Sequence, residues 1–184
     1  RDISARKKAE EKVKANERIS DEEAIYLYKE VDVATCGVLA NFRREQKNGL
    51  KTYFNRNFHI EPTNVCVFSC KFCSYSQDYK HKEEGWELSK NEMLDKVKAY
   101  DGIPITEVHI VGGVHPKLDL NFFAELLSDI RAYRPELHIK AFTAVELDYM
   151  FRKAKMTALE GMQFLKENGL GSIPGGGAEI FASE

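Results

Sequence analysis

Beyond residue 50 two apolar patterns alternate along the chain, and that alternation decides what it can fold into. Runs rich in β-branched and aromatic residues at 52–60, 106–111 and 137–142, with a weaker one at 171–173, predict short strands. Between them the spacing predicts helices over 89–100, 120–133 and 157–168. Ser89 reads as the N-cap of the first, with Glu92 completing a capping box. Phe122, Phe123, Leu126, Leu127 and Ile130 give the second its apolar stripe, and Gly169 stops the third. Strands separated by one helix each are joined by right-handed crossovers, so the expected fold class is α/β with a parallel sheet.

The first fifty residues read differently. Residues 1–17 are charged on nearly every turn and suggest a solvated helix. Ser20 and Glu23 form a capping box, after which Ala24, Ile25, Leu27 and Tyr28 begin an apolar face. That face resumes at Val31, Ala34, Val38 and Phe42, and Asn48-Gly49 ends it. The expected organisation is a helical region at 1–50 and, at 51–184, about four β/α units. A closed eight-unit barrel typically takes about 250 residues. Four units alone leave a sheet edge bare, so a fragment of a longer chain is expected. The formal charge of −2 provides no basic footprint for nucleic acid or an anionic membrane. No apolar run approaches the roughly 20 residues of a membrane span. Residues 1–18 lack the apolar stretch of a signal peptide, so a cytoplasmic location is expected.

Three of the four cysteines, Cys66, Cys70 and Cys73, crowd into a loop directly after the first strand. Loops at the C-terminal ends of strands carry the chemistry in barrel enzymes. A CxxxCxxC loop can place three thiolates on three corners of a 4Fe–4S cubane and leave the fourth iron open to a chelating substrate. A Cys3His zinc site using His59 or His81 is the rival, although zinc sites more often show paired CxxC knuckles. Cys36 reads as a small packed residue of a helix.

CxxxCxxC with an aromatic residue before its last cysteine resembles the radical S-adenosylmethionine (SAM) superfamily. The pair Gly112-Gly113, closing the strand Val108-His109-Ile110-Val111, is similar to that superfamily's glycine motif. Thr63-Asn64-Val65-Cys66, Gly112-Gly113-Val114-His115-Pro116 and Pro174-Gly175-Gly176-Gly177-Ala178-Glu179 resemble the radical enzymes of menaquinone synthesis. Lys140-Ala141-Phe142-Thr143-Ala144-Val145-Glu146 narrows this to the aminofutalosine synthases. The sister family, the cyclic dehypoxanthine futalosine synthases, tends to carry Ser-Pro-Pro-Glu at that place. Glu61-Pro62 departs from the Asn-Tyr-like pair expected before Thr63.

The resemblance implies a radical SAM barrel of TIM-barrel type, a 4Fe–4S cluster on Cys66, Cys70 and Cys73, and SAM as both radical source and consumed substrate. It implies addition of the 5′-deoxyadenosyl radical to 3-[(1-carboxyvinyl)oxy]benzoate, giving 6-amino-6-deoxyfutalosine and bicarbonate. A flavodoxin or ferredoxin would supply the electron. Gly112 and Gly113 would approach the amino group of SAM, where only glycine allows so close a backbone. Phe72 and Tyr75 would face the adenine, or else simply pack. Thr143 and Glu146 would hold ribose hydroxyls or the amino group, although an acid also suits the start of the following helix.

Independently of the family, a histidine precedes an isoleucine on three successive strands: His59, His109 and His138. Alternation puts each opposite its isoleucine, so if the isoleucines meet the helices the histidines face the barrel interior, as does Lys140. They read either as satisfied core imidazoles or as groups that bind carboxylates or move a proton. His115, after the glycine pair, is a further candidate beside the substrate or a support for the turn at Pro116. Residues 174–177 lack a following GK[ST], which excludes a nucleoside-triphosphate loop. A tight bend or an approach to SAM fits them better.

Overall fold

A computed structural model describes residues 3–81 and 83–175, with two compact units at Arg1–Phe54 and Asn55–Glu184. The glycine-rich segment beyond Gly175 lies outside the described residues.

The first unit contains α1 (Ile3–Lys14), α2 (Asp21–Glu30) and α3 (Val33–Asn48). Ser20 caps α2 through the expected reciprocal box with Glu23, whose carboxylate also meets Lys12 of α1 at 2.8 Å. The apolar run expected to continue from α2 to Phe42 breaks at Val31, which is extended. Asp32 then caps α3 by accepting from the Thr35 amide and hydroxyl, both at 2.9 Å. The break turns the predicted face apart: Ile25, Tyr28 and Val38 are exposed, whereas Ala9 and Leu39 are buried. Gly49 at φ +60° ends α3 as read. The Cys36 thiol donates to Leu27 O at 3.6 Å, joining α3 to α2.

In the second unit β1 (Asn57–Ile60) leads to a short parallel pair, β2 (Val65–Cys66) and β3 (Gln77–Asp78), then a 3-10 turn (Tyr79–His81) and α4 (Lys90–Lys98). Then come β4 (Glu107–Ile110), α5 (Leu120–Tyr133), β5 (His138–Ala141), α6 (Ala144–Ala154) and α7 (Ala158–Glu167). The main sheet has the order β1-β4-β5, all parallel, as the one-helix crossovers require. The strands are shorter than their apolar runs, and the fourth reduces to one parallel bridge, Lys140 to Ser172. Between β5 and that bridge stand two helices where one was expected. The additional one, α6, starts at Thr143 with a capping box to Glu146 and buries Leu147, Met150 and Phe151.

Alternation divides the sheet cleanly. Phe58, Ile60, Val108, Ile110, Ile139 and Ala141 share one core with Met93 and Val97 of α4 and with Leu126, Leu127 and Ile130 of α5. Burial of each large side chain there stabilises by about 1.5–3 kcal/mol. The opposite face carries two rows in register: Asn57–Glu107–His138, then His59–His109–Lys140, one residue pair nearer the C-terminal ends. Phe142, fully buried at φ +65°, makes the sharp turn from β5 into α6.

Candidate active site

The loop after β1 is buried where polar residues would normally be exposed: Thr63, Asn64 and Cys66 are all less than a tenth accessible. Their polar atoms are satisfied by a neighbouring segment. The Thr63 hydroxyl donates to Trp86 O at 2.6 Å, Asn64 Oδ1 accepts from the Trp86 amide at 2.9 Å, and the Leu88 amide donates to Pro62 O. On the other side the glycine loop closes against the same stretch. The Gly113 amide donates to Thr63 O at 2.7 Å, and the Val67 amide to Val114 O at 2.9 Å. A Cβ on Gly112 would stand 2.8 Å from Thr63 O, and one on Gly113 only 2.4 Å from Val65 O. Glycine is therefore required at both positions by the approach of the cysteine loop itself.

Cys66 is buried, and its sulfur accepts two amides, Val114 at 3.3 Å and Phe68 at 3.4 Å. Cys70 is exposed and Cys73 partly so. Hydrogen bonds from the Ser76 side chain, then from the Tyr75 and Ser76 amides, hold the Cys73 thiol below its ordinary range, towards the thiolate. Among the described residues no three His, Cys, Asp or Glu side chains converge on one point. Thiolates on separate irons of a cubane stand farther apart than the ligands of one zinc. The donor set fits a cluster: three thiols on one loop, amides already aimed at the most buried sulfur, and a bare glycine backbone alongside.

The other expected residues are distributed unevenly. Glu146 reaches the site: its carboxylate accepts from the Thr143 amide and hydroxyl, both at 2.7 Å, and from the Gly112 amide at 3.0 Å. Burial pushes its carboxyl upward, against the pull of those donors. Thr143 is thus engaged as a helix cap. Tyr75 packs edge-on against Trp86 and donates to Thr63 O at 3.4 Å; burial, then the charges of Glu61, Glu146 and Cys73, push its phenol upward. Phe72 is 93% exposed and is not gathered with Tyr75. His115 is buried, with Nε2 3.2 Å from Glu87.

On the inner sheet face His59 and His109 meet edge to face, with centroids 4.8 Å apart. His109 Nε2 is buried without a hydrogen-bond partner. Burial, then the nearby charges of Lys140 and His59, lower its pKa, so the ring is neutral at neutral pH. Lys140 pairs with Glu107 at 2.6 Å, and Asn55 and Asn57 complete the carboxylate's shell. Burial opposes the Glu107 charge, but these partners keep its carboxyl below the usual range. His138 turns away to Ser172, at 2.8 Å. Sequence reasoning passed over Glu107 and Asn57, although both share the histidines' alternation. It also passed over Trp86 and Glu87, which lie in an irregular loop with no periodic signal.

The profile of the Radical SAM superfamily matches residues 60–176. Aminodeoxyfutalosine synthase of Streptomyces coelicolor is 38% identical over 180 residues, covering 98% of this chain and 46% of that protein. The enzyme of the same name from Thermus thermophilus is 36% identical over 172 residues, covering 94% and 46%. The chain thus spans about half the length of the curated relatives it matches. The crystal structure of methylornithine synthase (PylB) superposes with a TM-score of 0.59 at 17% identity, over 88% of this chain and 56% of that one, a likeness of fold.

Proposed function

Because this chain belongs to the radical SAM superfamily, we propose that it serves as an aminodeoxyfutalosine synthase of menaquinone synthesis. The substrates are SAM and 3-[(1-carboxyvinyl)oxy]benzoate, and the products 6-amino-6-deoxyfutalosine and bicarbonate. Cys66, Cys70 and Cys73 would hold a 4Fe–4S cluster, for which a flavodoxin or ferredoxin would supply the electron. When bound, the cluster and SAM supply a 5′-deoxyadenosyl radical. The residues Lys140–Glu146 and the 38% identity to a synthase of this name support the reading.

The chain's own part is to hold the reactants in place. Gly112 and Gly113 keep the backbone beside Cys66 free of side chains, Glu146 fixes the Gly112 peptide, and Tyr75 offers an aromatic edge beside the loop. The observation that carries the substrate reading is the orphaned Nε2 of His109. A buried polar atom without a partner costs about 1–3 kcal/mol unless a ligand meets it. It lies on the sheet face opposite the helices, in the row His59–His109–Lys140, three residues before the glycine pair. A substrate carboxyl is a partner of the right chemistry for that nitrogen.

The test is anaerobic turnover with SAM and 3-[(1-carboxyvinyl)oxy]benzoate, analysed by mass spectrometry. Formation of an adenosyl adduct is expected. Free 5′-deoxyadenosine as the main product, with hydrogen abstracted from substrate, refutes the reading. His109→Leu removes the orphaned nitrogen, so stability should hold or rise while product formation falls by at least about tenfold, equivalent to 1.4 kcal/mol. Unchanged turnover removes His109 from the substrate site.

A further inference from the structure

Cys66 and its neighbour Val67 are both tied to the backbone of Val114, far from them in sequence. The Val114 amide donates to Cys66 Sγ at 3.3 Å, and the Val114 carbonyl accepts from the Val67 amide at 2.9 Å. The next residue, His115, is buried with its side chain only 1% accessible, and both ring nitrogens are engaged. Nδ1 accepts from the Lys117 amide at 3.2 Å. A neutral ring therefore carries its proton on Nε2, which donates to Glu87 Oε1 at 3.2 Å. The ring also stands edge-on to Tyr79 at 5.3 Å.

Glu87 is itself fixed to the cysteine loop. It forms an antiparallel bridge with Thr63, while Trp86 and Leu88 on either side bond Thr63, Asn64 and Pro62. The contacts run in a closed circuit: Thr63 to Cys66 along the chain, Cys66 to Val114 through N–H···S, His115 to Glu87 through its ring, and Glu87 back to Thr63. The glycine pair cannot by itself set the direction of the Val114 amide. The buried imidazole can, because it clamps the turn at residues 115–117 to a segment that moves with the cysteine loop.

We propose that His115 and Glu87 are positioning residues that aim the Val114 amide at Cys66 Sγ and so raise the reduction potential of the cluster bound there. This rests on Cys66 being a cluster ligand and not on the identity of the substrate. An N–H dipole on a ligating sulfur stabilises the reduced cluster, with its additional negative charge, more than the oxidised one. Losing the alignment makes one-electron reduction harder.

The experiment is a mediated redox titration of the anaerobically reconstituted protein without SAM, followed by electron paramagnetic resonance, with iron and sulfide counted per chain. His115→Ala and Glu87→Ala should keep their iron and shift the midpoint to more negative potential. The reduced-to-oxidised ratio at the parent's midpoint should fall about tenfold, equivalent to about 59 mV for one electron. His115→Asn keeps an acceptor for the Lys117 amide and Glu87→Gln keeps an acceptor for the ring, so both should lie closer to the parent. Iron lost in the two alanine variants overturns the proposal, because it concerns the potential of an assembled cluster and not its assembly. Parental midpoints in both alanine variants, or equal losses in all four, overturn it. The prior reading of Cys66 fails separately, if Cys66→Ala still assembles the parental cluster.

Discussion

Gly113→Ala tests whether the glycine pair is needed by the cysteine loop. The new methyl would stand 2.4 Å from Val65 O, 2.8 Å from Val65 C and 3.0 Å from Asn64 C. These are backbone atoms one and two residues from Cys66, so no rotamer change relieves them. The contacts fall roughly 1 Å inside the 3.5–4.0 Å optimum for carbon, and the two loops must part by about that much. Parting stretches the Gly113 amide from Thr63 O, now at 2.7 Å, and the Val114 amide from Cys66 Sγ, now at 3.3 Å. Overpacking costs about 1–3 kcal/mol and each of the two weakened hydrogen bonds about 1 kcal/mol, so the loss is about 3–5 kcal/mol. Most domains of this size survive that. A matched control is Gly161→Ala, whose methyl would meet the Phe151 ring at 2.2 Å between α7 and α6. Urea unfolding of the apo protein, iron content after reconstitution and calorimetric SAM binding separate the two. Both variants should lose stability, whereas only Gly113→Ala should lose iron or bind SAM at least tenfold more weakly, about 1.4 kcal/mol. Parental iron content and SAM affinity in Gly113→Ala would refute the reasoning.

The three cysteines should be unequal without metal. Cys66→Ala leaves two amides without their acceptor and should cost the apo protein about 1–2 kcal/mol in urea unfolding, while exposed Cys70→Ala should stay within about 0.5 kcal/mol. Both should abolish the iron–sulfide chromophore, and equal apo stabilities would contradict the buried role of Cys66. Burial raises the folded-state pKa of Glu146 above its ordinary 4.5. Its contribution is therefore fully present below that value and is lost as pH rises through the folded-state pKa. The stability of the parent relative to Glu146→Gln should accordingly fall from acid to neutral pH. A difference that instead grows with pH would mean that the Thr143 and Gly112 donors outweigh burial.

The parallel sheet was legible because β1, β4 and β5 each bury alternate apolar residues, the period that a half-covered strand requires. The strands ended early where composition stopped meaning burial: Tyr53 and Phe54 suit a strand but lie exposed before β1. Helix α6 carried its own signal in Thr143 and Glu146, yet those residues were read as a site because they close a family string. The same doubling of roles hid the break at Asp32, an N-cap inside a run with helical spacing. The cysteines stood out by their spacing, and the glycine pair through its resemblance to a superfamily motif. What joins them did not, because Trp86 and Glu87 act through loop backbone and one buried imidazole. Such contacts leave neither periodicity nor a motif.

The sheet face opposite the helices is unusual in its chemistry. Barrel interiors are ordinarily filled by layers of Val, Ile and Leu. Here both layers are polar, and they differ in how they are satisfied. In the row at the N-terminal ends, Glu107 is neutralised by Lys140 at 2.6 Å and hydrogen-bonded by Asn55 and Asn57, while His138 is tied to Ser172. That row is complete within the protein. The next row, roughly 6.6 Å nearer the loops at about 3.3 Å per residue, holds the unmet nitrogen of His109 against His59. From there to the glycine pair is about 10 Å along the strand. Were the face merely structural, His109 would be the residue to satisfy first, because its nitrogen is the buried side-chain polar atom left without a partner among the described residues.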